Sequence, residues 1–232
     1  MATVKICGLK DAGTLQSVLH LPIDHIGFLF AKSKRQVTPA EARDLVKLVR
    51  DRRERGLPTP LTVGVFVDPS EELLAEVMRE APLDVIQLHG AEDPAFCRRV
   101  KETFPVLVYR VFSVAGAVGA GESTNATASI DDELDPYAGC IDGVLLDTAG
   151  GGTGRTFEWS RIPDYLAWAN RNGIPLLVAG GLNPDNVAEL LRAYAPHGVD
   201  VSSGVESDGV KDITKITAFV ERVKRHESHA SA

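Results

Sequence analysis

Cys7 closes the run "VKIC", Asp147 closes "DGVLLD", and His89 follows "DVIQL". A thiol, a carboxyl and an imidazole are side chains that move protons, and two of them facing one substrate can act as base and acid. Each also has a quieter reading. A single cysteine is most often an inert buried side chain. An aspartate after an apolar run commonly caps a helix or turn, and His89 before Gly90 fits a turn. What sets the three apart is that each stands where an apolar run ends.

Glycine marks a second kind of site. "AGGLNPDNV" puts Gly180 and Gly181 after one apolar run, and "SSGVES" puts Ser203 and Gly204 after the next. Small residues let backbone N–H groups approach the oxygens of an anion, which a helix N-terminus also favours. Two consecutive loops of this type read as a phosphate cradle. The denser stretch "DTAGGGTGRTFEW", residues 147–159, reads as a flap that closes beside it, with Gly154 completing the cradle. Composition alone fits an ordinary flexible loop equally well.

The elements that must position these residues alternate. Eight short runs, "VKIC", "HIGFLF", "LTVGVFV", "DVIQLH", "VLVYRV", "DGVLLD", "PLLVAG" and "VDVSS", are separated by segments with helical spacing: 12–20, 39–55, 71–80, 94–104, 160–170, 184–194 and 212–224. Thr38-Pro39 and Asn183-Pro184 read as helix starts, a cap followed by a proline at the first helical position. Such alternation predicts an α/β fold with a parallel sheet. Eight units in this length favour a closed (β/α)₈ barrel over an open doubly wound sheet.

Residues 114–139 show no apolar stripe, so the fifth crossover is expected to be irregular, with a short helix near Asp131–Leu134. Residues 1–225 then form a single barrel domain and 226–232 a frayed polar tail. The strand ends are expected at Cys7, Phe30, Val67, His89, Val111, Asp147, Gly180 and Ser203, where barrel active sites lie. Alternation puts Thr3, Lys5 and Cys7 on one face, as it does Gln87 with His89 and Leu145 with Asp147. If those faces point inward, Cys7, His89 and Asp147 converge.

Bulk properties narrow the partners. In 232 residues, 44% are hydrophobic and 25% charged, an ordinary globular balance. A formal charge of −7 argues against a broad nucleic-acid or anionic-membrane surface, leaving room only for a local basic pocket. Cys7, Cys97 and Cys140 have neither disulfide nor metal-ligand spacing, which suits a reducing cytoplasm. The N-terminal stretch lacks an apolar signal region, and no run of about 18 apolar residues predicts a membrane span.

Taken together, "KICGL", "IGFLFAKSKR", "VGVFVD", "IQLHG", "LLDT…GGTGRTFEW", "AGGLNPDNV" and "VDVSSGVES" resemble phosphoribosylanthranilate isomerases, in family order and across nearly the whole chain. The resemblance implies a cytoplasmic enzyme of tryptophan biosynthesis that converts an aminoaldose phosphate to an aminoketose by an Amadori rearrangement. It implies a phosphosugar substrate, no metal or organic cofactor, and a monomer or homodimer. It also implies Cys7 as general base, Asp147 as general acid, and Arg35 near the substrate's anthranilate carboxylate. Gln87 shares the inward face with His89, and His89 and Asp200 match family positions near the barrel mouth, so all three are read as substrate-side residues.

Competing readings are a pentose-phosphate epimerase, which would want several His and Asp metal ligands at strand ends, and an indole-glycerol-phosphate synthase, which would want a catalytic Lys with Glu partners. A non-catalytic phosphosugar binder is a third. The segment 114–139 looks longer and richer in Gly and Ala than the resemblance leads one to expect.

Overall fold

The computed structural model describes residues 2–114, 129–148 and 159–230, with side chains as far as Arg225. Among these, eight parallel strands close into a barrel in chain order, with β8 returning to pair with β1. They are β1 (Thr3–Cys7), β2 (His25–Leu29), β3 (Leu61–Phe66), β4 (Val85–Leu88), β5 (Leu107–Val114), β6 (Gly143–Thr148), β7 (Leu176–Val178) and β8 (Gly198–Val201). Outside them lie α1 (Ala12–Val18), α2 (Pro39–Glu54), α3 (Glu71–Glu80), α4 (Pro94–Thr103), α5 (Ile130–Leu134), α6 (Ile162–Asn172), α7 (Val187–Tyr194) and α8 (Ile213–Ala230). A two-stranded ribbon, β9 (Glu206–Ser207) and β10 (Val210–Lys211), follows β8.

Strand parity sorts the residues into two packing zones. Val4 and Ile6 of β1 face outward into the strand–helix core, while Cys7 joins Val63, Val65, Val85, Tyr109, Val111, Leu145, Leu177 and Ala179 in the barrel interior. Burial on both faces explains why the strands read as nearly unbroken apolar runs. Polar inward residues are therefore exceptions that need partners. Lys5, Gln87, Asp147 and Asp200 are all buried.

Helix starts follow local chemistry. Thr38 and Glu41 form a reciprocal capping box ahead of Pro39, and the Asp93 carboxylate accepts from the Phe96 N–H ahead of Pro94. The expected start at Asn183-Pro184 is displaced. Asn183 Oδ1 accepts instead from the N–H groups of Asp185 and Asn186, making a turn that delays α7 to Val187.

Two further boundaries differ from the sequence reading. Strand β5 runs past Val111 to Val114, so Ser113 stands at its inward end. The last helix extends through Ala230, well into the segment expected to be frayed. The fifth crossover has its short helix where expected, capped by Ser129 and followed by a 3₁₀ turn over Asp135–Tyr137. Among the described residues, no helix is long and apolar enough to cross a membrane.

Candidate active site

At the C-terminal ends of the strands lies a cavity of about 400 Å³. Cys7 from β1, Gln87 and His89 from the end of β4, Asp147 from β6 and Asp200 from β8 line it, together with Arg35, Gly180, Gly181 and Ser203 from the loops. Parity and strand length account for the convergence, because each of the five core residues occupies an inward position near the same end of its strand. Gly154 lies outside the described residues. Gly204 does not line the cavity. A Cβ there would run into the Leu182 carbonyl, so its role is to let the loop after β8 pass close to the loop after β7. Gly180, at φ 78°, adopts a left-handed conformation that disfavours other residues.

Asp147 is buried, and loss of water pushes its carboxyl up to about 6. The Thr148 N–H, donating to Oδ1 at 2.7 Å, opposes that rise, the charge of Asp200 adds to it, and Lys5 opposes it. His89 Nε2 stands 3.6 Å from Asp147 Oδ2. Burial, reinforced by Lys5, holds His89 down to about 4. Near neutral pH the imidazole is therefore uncharged, and the contact is a polar approach rather than an ion pair.

Cys7 is 7% exposed, and burial raises its thiol above the ordinary value, with Lys5 opposing the rise. Gly27, directly beside it on β2, makes room for the sulfur: a Cβ at that position would lie 2.9 Å from Sγ. Lys5 is fully buried, and its Nζ donates to Asp200 Oδ2 at 2.9 Å. The buried Asp200 Oδ1 and Gln87 Oε1 have no hydrogen-bond partner among the described residues. Orphaned buried acceptors at a cavity wall are places where ligand hydroxyls or N–H groups would be favoured.

Arg35 is largely occupied. Its Nε and Nη2 donate to the two carboxylate oxygens of Glu206 at 2.6 and 2.9 Å, a bidentate pair that ties the loop after β2 to β9. Lys211 Nζ donates to the same Glu206 at 2.8 Å and to the Ser202 carbonyl at 2.7 Å. These two cations hold the Glu206 carboxyl down to about 2 against its own burial.

A family model described as N-(5'-phosphoribosyl)anthranilate isomerase matches residues 4–222. The chain belongs to the phosphoribosylanthranilate isomerase family. An N-(5'-phosphoribosyl)anthranilate isomerase of Brevibacillus brevis is 42% identical over 235 residues, spanning 100% of this chain and 97% of that protein. The phosphoribosylanthranilate isomerase of Thermotoga maritima superposes with a TM-score of 0.75 at 31% identity, covering 97% of this chain and 100% of that one. A phosphoribosylanthranilate isomerase solved with reduced 1-(o-carboxyphenylamino)-1-deoxyribulose 5-phosphate gives a TM-score of 0.73 at 31% identity, with 97% and 100% covered.

Family membership replaces the epimerase and synthase readings. Among the described residues, no group of three His, Cys, Asp or Glu side chains is placed to hold a metal ion. The sequence reading of this phosphoribosylanthranilate isomerase family member passed over Lys5, Glu206, Lys211 and Ser113. Parity alone put Lys5 on the face of Cys7, and a lysine at an inward strand position is a signal in its own right. Glu206 and Lys211 gave no such signal, because they pair with each other across a short ribbon and the residue that ties them to the site, Arg35, lies 171 positions from Glu206.

Proposed function

We propose that this cavity catalyses the Amadori rearrangement of N-(5-phosphoribosyl)anthranilate in tryptophan biosynthesis, with Cys7 as general base and Asp147 as general acid. What supports the assignment is that these two groups, remote along the chain, line one cavity together with the glycine loops after β7 and β8. The reaction needs a proton on the furanose ring oxygen as the ring opens to a Schiff base. It then needs removal of the C2 proton, the iminium accepting the electron pair, to give an enolamine that tautomerises to the ketone.

Asp147 is suited to the first step because its carboxyl titrates near 6, close to the working range, instead of at the ordinary carboxylate value. Cys7 supplies the base as its thiolate. The reactive form, thiolate plus carboxylic acid, has the same net charge as the resting form, thiol plus carboxylate. One proton moved from sulfur to carboxyl interconverts them.

The substrate carries two anions. Its phosphate is assigned to the backbone of Gly180, Gly181 and Ser203, with Gly204 permitting the close loop approach and Gly154 proposed for the flap. Its carboxylate is assigned to Arg35, anchored through Nε and Nη2 and left with Nη1 outside the Glu206 pair. The ligand of the solved relative, which bears both a carboxyphenyl and a phosphate group, fits this division. Gln87, His89 and Asp200, which line the same cavity, are assigned to the sugar hydroxyls.

The test is an isomerisation assay without added metal, run on the wild type, Cys7→Ala and Asp147→Asn. Each substitution is expected to lower kcat by about 10² to 10⁴ while the fold persists. Near-normal turnover in either variant removes that residue's role.

A further inference from the structure

Lys5 precedes Cys7 by two residues on β1, so both side chains enter the barrel on the same face. At 0% exposure it is among the largest fully buried side chains of the protein. An ammonium in such a place is costly, and proteins retain one only where it is paired or used. Asp200, its register neighbour on β8, accepts a hydrogen bond from it at 2.9 Å. Cys7 is the next inward residue along β1, so the sulfur and the ammonium share one face of the strand inside the barrel.

We infer that Lys5 is a positioning residue for the isomerisation: its ammonium, fixed by Asp200 on the neighbouring strand, supports the thiolate form of Cys7 from beneath. The inference rests on the reading of Cys7 as the base. It names the group that makes a buried thiol usable.

The charges around Cys7 are of both signs. From its own strand comes Lys5, from β8 Asp200, from β10 Lys211, and from the loop after β2 Arg35. His89 and Asp147 line the same cavity from β4 and β6, while β2 presents Gly27 beside the sulfur and, opposite Lys5, His25, which burial and Lys5 hold down to about 4 and so uncharged at neutral pH. Lys211 and Arg35 are both committed to Glu206, so their fields are largely offset by its carboxylate. Among the cations around Cys7, Lys5 is the one that most favours its thiolate, ahead of Lys211 and against the opposing charge of Asp200. Its own proton is retained, because Asp200 and Cys7 together outweigh the cost of burial. It therefore acts as a fixed charge and not as a proton donor.

The test measures the thiol directly. The rate of Cys7 alkylation by iodoacetamide, localised by peptide mass spectrometry, is followed against pH for the wild type, Lys5→Met and Asp200→Asn. Removing the ammonium should raise the alkylation midpoint by about one pH unit and slow the reaction at pH 7.5 about ten-fold. Removing the Asp200 charge should move the midpoint the other way. The alkaline limb of kcat/KM should follow the thiol in each variant, and in Lys5→Met KM should change much less than kcat.

A folded Lys5→Met protein whose Cys7 midpoint is unmoved or lower overturns the inference. If Lys5→Met does not fold, Asp200→Asn decides, and an unmoved midpoint there overturns it as well. Failure of the underlying reading looks different, since Cys7→Ala would then keep its turnover whatever the alkylation midpoints do.

Discussion

Asp147→Asn should inactivate the enzyme and stabilise the protein. In the folded state the carboxyl titrates at about 6, against 3.8 for the unperturbed group, so ionising it in place works against folding. The sign follows from linkage: the folded form binds this proton more tightly than the unfolded chain, so stability falls as pH rises between the two values. Roughly two pH units correspond to about 3 kcal/mol once both states are ionised. Asparagine is isosteric and keeps an oxygen to accept the Thr148 N–H that now reaches Oδ1 at 2.7 Å, so little is lost in exchange. Urea denaturation of both proteins at pH 4 and pH 8 measures the difference. The variant should gain about 2 to 3 kcal/mol at pH 8, a rise in Tm of several degrees for a chain of this size, and almost nothing at pH 4. A gain that is absent at pH 8, or equal at both pH values, would refute the claim that burial of this charge is what tunes the carboxyl.

Other outcomes follow from the same geometry. The acid limb of kcat/KM should have its midpoint near 6, where Asp147 titrates, and the alkaline limb should lie above the ordinary thiol value because Cys7 is raised; Asp147→Glu should move the acid limb, whereas an ionisation of the substrate would stay put. Gly204→Ala should raise KM by about ten-fold or more with a smaller effect on kcat, since its Cβ meets the Leu182 carbonyl and must part the loops after β7 and β8 that we assign to the phosphate; substrate titration by calorimetry would show an unaltered affinity if that view is mistaken. Arg35→Gln should weaken substrate binding and also lower stability by about 1 to 3 kcal/mol, because Glu206, 6% exposed at its side chain, loses its bidentate partner. Restored stability, without restored binding, is expected when Glu206→Gln is added.

The alternation of strands and helices was legible because it is written in local periodicity, and the inward face could be read from parity at Cys7, Gln87, His89 and Asp147. The delayed start of α7 was not legible. A capping residue followed by proline is ambiguous between a helix start and a turn, and at Asn183 the side chain closed the turn. Arg35 illustrates a different limit. Its type suggested a carboxylate partner, but nothing nearby in the chain announced that Glu206, brought over by the β9–β10 ribbon, already supplies one.

By itself the sequence determined the order of elements, the positions that face inward, and the small residues of the loops after β7 and β8, all properties carried by neighbours along the chain. Only the closure of β8 onto β1 decided that Lys5 has Asp200 for a partner and stands beneath Cys7. Charge and burial depend on what surrounds a group in space, and at this site those surroundings come from opposite ends of the chain.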